Sequence, residues 1–375
     1  MHSQEEQQDI LKPNKDSAFK KKDSPWKQLA ARLFLPFNLL LAGAVVYYAM
    51  AYGEVDLSQV LSVSLNWWWL LLALGIVFLI VVIDTCRLQL VMSATIKRTD
   101  PLLCLRVTLL ERHYNLLTPF HTGGKAYQMY YYHKHGFRVS EITAVSISNY
   151  ILTRLGYQIV TGLVIIIFIS RIGDLGGEAV VSASIISGIV WTVLTTVGVI
   201  LLAFGRVIPQ KLGQLGVFIL SKVRIIKDRE NAQRKTDETL WQYRVSMRKL
   251  RKRPWTLTAG MIMACFAFFL HYTLILFIYA SIWGWDWSIA PILMLGVVLV
   301  DYTASLMPIP GGTGAMELFF ISIFSILIGT PQVFMAVVLW KIFTYVIPIL
   351  NGVPVVIFNS IITRKRRKSI DLSIE

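Results

Sequence analysis

Apolar residues along this chain come in blocks of about 20, and polar residues gather mostly at the block ends. A helix needs that length to cross roughly 30 Å of hydrocarbon. Transmembrane barrel strands are shorter and alternate apolar with polar, so the pattern predicts helices. Full spans are expected at about 30–50, 66–86, 143–170, 179–205, 257–283 and 333–359. Two further apolar stretches, 102–135 and 288–330, are interrupted. The first contains LLTPFHTGGK, residues 116–125, and the second SLMPIPGGTGAME, residues 305–317. Proline and paired glycine end one helix and open another, so each interruption predicts a helical hairpin, either re-entrant or fully crossing.

The distribution of lysine and arginine predicts direction. There are seven in 1–32, none in 51–66, five in 87–112 and one in 171–178; fourteen follow in 206–253, none in 283–287 and five in 364–368. Positive charge is retained on the cytoplasmic side, so both termini and the loop 206–254 are expected there. The first broken stretch then begins and ends inside and the second begins and ends outside. Span, span, hairpin, span is followed by the same order upside down, as in an inverted-topology repeat. The predicted fold class is an all-α polytopic membrane protein with about six full spans and two Pro/Gly-broken segments. The expected organisation is a basic tail at 1–29, one membrane domain at 30–360 made of repeats 30–170 and 171–360, and a basic tail at 361–375.

Composition agrees with a membrane protein. Of 375 residues only 16% are charged, against roughly a quarter in soluble proteins, while 55% are apolar and mean hydropathy is +0.58. Trp67, Trp68, Trp69, Trp255, Trp283, Trp285 and Trp287 sit at block ends, where indoles favour the membrane interface. The formal charge of +15 lies at helix ends and in one loop, which points to orientation and anionic lipid and away from nucleic acid. Within 206–254, Leu240, Trp241, Tyr243, Met247 and Leu250 alternate with basic residues, as expected of a helix on the inner leaflet or one that binds a partner. The polar, lysine-rich N-terminus lacks the apolar core of a signal peptide and is expected to stay with the mature protein. Cys86, Cys104 and Cys265 show no metal-ligand spacing and are expected to be buried packing residues. His121, His133 and His135 have no acidic or cysteine partner at metal spacing, so neither a metal nor another cofactor is expected.

Irregular backbone at membrane depth is tolerated only beside protein or a water-filled cavity, so each interruption predicts a cavity. Amides freed at the start of a half-helix suit an anion. The candidate substrate-binding residues at the two breaks are therefore Thr118, Pro119, Gly123, Gly124 and Lys125, and Pro308, Pro310, Gly311 and Gly312. Ionisable residues inside spans extend the set, because each is costly in hydrocarbon without a partner or water. Arg154 lies mid-span on a stripe with Ser146, Tyr150 and Gln158, and Asn149, Thr153, Tyr157 and Thr161 run alongside; Asp301, Glu317 and Lys341 belong to the second half. Two readings stand: a structural ion-pair set, or carboxylates that exchange for a headgroup phosphate. Glu317, in the first turn of a half-helix, also interacts with the helix dipole without any ligand. Asp84 and Arg87, three apart, read as a local pair.

Three stretches resemble the flippase-like transmembrane family found as the N-terminal membrane domain of lysylphosphatidylglycerol synthases, the multiple peptide resistance factor group, and as stand-alone proteins. They are PIPGGTGAMEL followed by WKIFTYVIPILNG, TPFHTGGKAY, and GFRVSEITAVSISNYILTRLG with Arg154. The likeness runs over about 66–360. Two positions depart from it: Thr153 stands where that family has glutamate, and Lys341 where arginine is common, which replaces a planar fork with a point charge. Only a short basic tail follows residue 360, so the resemblance implies lipid translocation without lipid synthesis. A lipid translocator, with no catalytic residue assigned, is thus the leading expectation. A membrane enzyme acting on lipid-linked substrates and a carrier of small soluble anions are the alternatives. Expected partners are membrane lipids with anionic headgroups, with a second copy or a separate lipid-modifying synthase as further candidates.

Overall fold

The computed structural model describes residues 56–96, 100–118, 123–175, 178–204, 252–305, 312–325 and 330–371, with isolated positions elsewhere. The predicted span at 30–50, most of the loop 206–254, Pro119, His121, Pro308, Pro310 and Gly311 lie outside the described residues. Every regular element described is helical: α1 (Leu57–Leu61), α2 (Trp67–Ile96), α3 (Pro101–Leu116), α4 (Gly123–Lys134), α5 (Val139–Phe168), α6 (Glu178–Phe204), α7 (Pro254–Trp283), α8 (Ala290–Ser305), α9 (Ala315–Phe324), α10 (Thr330–Lys341) and α11 (Ile347–Asp371). A 3-10 segment, Ile169–Asp174, prolongs α5, and a π-turn, Ile342–Val346, joins α10 to α11. Five stretches are long and apolar enough to cross a membrane: Trp67–Ile96, Glu141–Asp174, Val181–Gly198, Pro254–Trp283 and Pro331–Asn359. They fall on five of the six predicted spans. The chain is an all-α polytopic membrane protein.

α2 and α7 form the centre and pack on each other along their length. They run antiparallel: the Asn66 amide, at the start of α2, donates to the Ser281 carbonyl near the end of α7 at 2.7 Å, while Gly260 near the start of α7 lies against Arg87 toward the end of α2. Trp69 stacks on Trp285 at their shared end, with ring centroids 5.1 Å apart. Trp67, Trp68 and Trp287 are exposed there, and Trp255 is exposed at the opposite end. The indoles thus mark two interfacial levels.

The remaining contacts repeat between the halves. α2 packs on α3 as α7 packs on α8; α3 packs on α4 as α8 on α9; α4 packs on α5 as α9 on α10; and α2 packs on α5 as α7 on α10. Across the halves, α3 meets α11 as α8 meets α5. Because α2 and α7 are antiparallel, a hairpin that leaves the end of each enters from opposite ends of the molecule. This is the inverted repeat that the charge pattern predicts.

Hairpin length settles how far each one reaches. α3 and α8 have 16 residues and α4 and α9 have 12 and 10, or about 15–24 Å at 1.5 Å per residue. None spans roughly 30 Å of hydrocarbon, so both hairpins are re-entrant. Ion pairs fix the depth of their tips. Arg112 on α3 pairs with Asp84 near the middle of α2, and Asp301 on α8 pairs with His271 near the middle of α7. Both tips therefore reach the mid-level of the α2–α7 pair from opposite sides.

Local chemistry explains where the hairpins turn. Asp100 caps α3 by accepting from the Leu103 amide at 3.0 Å, with Pro101 in the first turn where its missing N–H costs nothing. At the second turn Gly312 and Gly314 take φ of 61° and 93°, a region that a Cβ disfavours. Glu317 then accepts from the Gly314 amide at 2.6 Å and so satisfies a free donor at the start of α9.

Candidate functional site

The polar stripe on α5 faces protein. Ser146, Asn149, Tyr157 and Thr161 are buried, and Thr161 lies 3.0 Å from the Tyr272 hydroxyl of α7. Gln158 donates to the Thr195 and Thr196 hydroxyls of α6 at 2.9 and 2.8 Å. Side-chain hydrogen bonds of this kind hold helices together where burial of apolar surface gives no preference over lipid. Arg87 on α2 donates through Nε to Asn149 Oδ1 at 3.0 Å and pairs with Asp84 at 2.9 Å, and Arg112 joins the same carboxylate. The local Asp84–Arg87 pair read from spacing is thus one side of a four-residue cluster, with Arg112 and Asn149, that ties α2, α3 and α5 together.

Between the two hairpin tips and α5 lies a cavity of about 310 Å³. Glu111, Asn115 and Lys125 line it from the first hairpin, and Asp301, Gly312 and Met316 from the second. α5 contributes Tyr150, Thr153, Arg154 and Tyr157; α6 contributes Trp191 and α7 His271; Thr344 and Tyr345 come from the π-turn. Five predicted site residues, Lys125, Tyr150, Arg154, Asp301 and Gly312, are therefore brought to one space from both halves of the chain.

The cations of this region differ in what surrounds them. Lys125 pairs with Glu111 at 2.6 Å. Lys341 pairs with Glu317 at 2.7 Å and donates to Thr313 at 3.1 Å, and it lies 4.6 Å from the Tyr345 ring centroid. Glu317 is 2% and Lys341 7% exposed, behind the wall formed by Gly312, Met316 and Tyr345. Arg154 is held differently: its guanidinium carbon lies 5.3 Å from the Tyr150 ring and 5.7 Å from the Trp191 ring. Among the described residues no carboxylate stands within ion-pair distance of it. The four-residue ion-pair set, one of the two sequence readings, is thus divided. Lys341 and Glu317 form a brace, Asp301 faces His271 at 3.5 Å, and Arg154 keeps its charge toward the cavity with aromatic faces as neighbours.

The glycines of the first turn have a structural reason. The Gly123 amide donates to Thr118 Oγ1 at 2.8 Å and the Gly124 amide to Asn115 Oδ1 at 2.9 Å, so the amides expected to be free at the start of α4 have acceptors within the hairpin. A Cβ on Gly124 would strike the Glu111 carbonyl, so the residue is small because α3 and α4 touch there. Thr118, Gly123 and Gly124 shape the turn, and the side chains that reach the cavity from it are Glu111, Asn115 and Lys125.

Other expectations resolve individually. Cys104 is buried and Cys265 partly so, but Cys86 is exposed on α2, at odds with the packing role expected for all three. His133 and His135 each approach a backbone carbonyl, of Phe137 and Tyr131 at 3.4 and 2.8 Å. His271 escaped the sequence reading because it stands alone in the apolar run of α7. Its signal was that isolation, since an ionisable group mid-span needs a partner. Glu111 and Lys125 were missed as a pair because the turn separates them.

No curated protein matches the chain at a significant level. A family profile does, over residues 37–352. The re-entrant hairpins, their Pro-Gly turns and the cavity between them all fall inside that match, and the chain belongs to the family described as the lysylphosphatidylglycerol synthase TM region.

Proposed function

We propose that this protein moves an anionic lipid between leaflets, with the headgroup passing through the cavity beside Arg154 while the hydrocarbon chains remain in the bilayer. The observation that carries the proposal is the contrast among the cations: Lys125 and Lys341 are each neutralised by a carboxylate, whereas Arg154 lines the cavity with two aromatic rings beside it and, among the described residues, no carboxylate within ion-pair distance. A guanidinium presents planar paired donors that match a phosphate. The cavity, at about 310 Å³, has room for a polar headgroup. Antiparallel halves support alternation between the two faces, because each hairpin tip meets the site from its own side.

The substrate class is a lipid whose headgroup carries a phosphate: a phosphatidylglycerol-type lipid, an aminoacylated derivative in which the phosphate stays negative beside added amines, or a polyprenyl-phosphate lipid. A second reading, a membrane enzyme acting on such lipids, draws on the His271–Asp301 pair at the cavity wall, a pairing that can serve general-base chemistry. Purified protein in liposomes with labelled phosphatidylglycerol separates them. Movement of intact lipid to the other leaflet supports translocation; a chemically altered lipid supports the enzyme; free phosphate crossing without lipid movement supports a carrier of soluble anions.

A further inference from the structure

The anion reading uses Arg154 and leaves the facing titratable pair without a task. His271 Nε2 lies 3.5 Å from Asp301 Oδ2, and the two side chains are 29% and 21% exposed, both at the cavity wall. That separation is an ion-pair distance, slightly beyond a good hydrogen bond, so the contact tightens or loosens with the charge on the imidazole. Ionisable groups at this depth are costly in hydrocarbon, and those that line a water-filled cavity commonly serve ion or proton pathways.

The surroundings set the charge balance. From α5, Arg154 and Tyr157 face the pair, and from α8, Tyr302 stands next to Asp301. Tyr272 follows His271 on α7, and the Trp340 ring of α10 lies 5.6 Å from the imidazole. The Lys341–Glu317 pair joins α9 to α10 behind the cavity wall, the Glu111–Lys125 pair lies across the cavity, and Tyr345 is on the π-turn. Both lysine pairs are internally neutral and the tyrosines and indoles are uncharged. Arg154 and Asp301 then cancel, so the cavity is neutral with a neutral imidazole and carries one positive charge with an imidazolium.

We infer that His271 and Asp301 form a proton-binding site coupled to anion occupancy, so that one proton enters and leaves the cavity with each monoanionic headgroup. This rests on the anion site proposed above. A singly negative headgroup makes the loaded cavity neutral only when the imidazole is protonated, and a net charge at this depth is what the bilayer penalises. Proton binding therefore tightens anion binding, and by linkage anion binding favours proton uptake to the same extent. The proton comes from the aqueous phase to which the cavity is open, resides on the imidazole against the Asp301 carboxylate, and departs to the opposite phase once the headgroup leaves. A proton gradient across the membrane then drives lipid toward the more alkaline side.

The test counts protons. Full-length protein in detergent is titrated with dihexanoyl phosphatidylglycerol in a pH-stat near neutral pH, where the phosphodiester itself does not titrate. The expected result is uptake of a large fraction of one proton per lipid bound, abolished in His271→Gln although lipid still binds. Asp301→Asn provides the second variant: with the carboxylate gone, Arg154 supplies the matching charge without a proton, and uptake falls. Saturable binding with no proton uptake by the parent protein overturns the coupling and leaves the anion site standing. Undiminished uptake in His271→Gln overturns the assignment to this pair. Absence of saturable lipid binding by the parent removes the headgroup reading, and the coupling with it.

Discussion

Lys341 Nζ lies 2.7 Å from Glu317 Oε1, and this contact joins the last span to the half-helix that opens after the Pro-Gly turn. Both groups are almost wholly buried. The π-turn Ile342–Val346 begins immediately after Lys341, a local irregularity frequent where a helix is bent to function.

Removing one member of a buried pair strands the other. Lys341→Met should cost about 3–5 kcal/mol of stability, and the double variant Lys341→Met with Glu317→Gln should recover much of it. Thermal unfolding in detergent measures both. A single variant as stable as the parent would contradict the bracing role.

At the first turn, packing should govern the response to an added methyl group. Gly124→Ala drives a Cβ into the Glu111 carbonyl and should destabilise by about 1–3 kcal/mol. Gly162→Ala, on α5 with open space around it, should be neutral or stabilising by up to about 1 kcal/mol. Equal effects at the two positions would show that the close approach of α3 to α4 does not matter.

Gly312 combines positive φ with a place at the cavity wall. Gly312→Ala should fold with a penalty of about 1–2 kcal/mol and bind dihexanoyl phosphatidylglycerol more weakly than the parent. Unchanged stability and affinity would mean that neither the strained backbone nor the wall position constrains this residue.

The five described spans and the two breaks were legible in the sequence because they rest on local properties, the length of an apolar run and the helix-ending chemistry of proline and glycine. The re-entrant depth was not, since it depends on Arg112 meeting Asp84 and Asp301 meeting His271, partners that only the packed helices bring together. For the same reason Gly123 and Gly124 resembled an anion-binding helix start when their amides in fact have Thr118 and Asn115 as acceptors. Arg154 was legible as a mid-span cation on a polar stripe. Its separation from every described carboxylate was not, because Lys341 and Glu317 satisfy each other through contacts that spacing does not reveal.

The charge counts predict an orientation, which single cysteines in a background lacking Cys86, Cys104 and Cys265 test. Ser288→Cys, in the turn between α7 and α8, should react with an impermeant maleimide added outside intact cells, and Arg253→Cys, at the start of α7, only after the cytoplasmic face is exposed. The reverse pattern would invert the assignment of both hairpins.

The central claim is that an anionic headgroup passes beside Arg154. Headgroup movement in liposomes should fall about tenfold to a hundredfold in Arg154→Gln, the loss of a charge-assisted contact worth about 1.5–3 kcal/mol, while Arg248→Ala in the basic loop keeps the parental rate. The measurement is the rate at which labelled phosphatidylglycerol in the inner leaflet becomes accessible to an external quencher, compared between parent and Arg154→Gln proteins that elute identically as folded species. A folded Arg154→Gln protein that moves lipid at the parental rate would contradict the account.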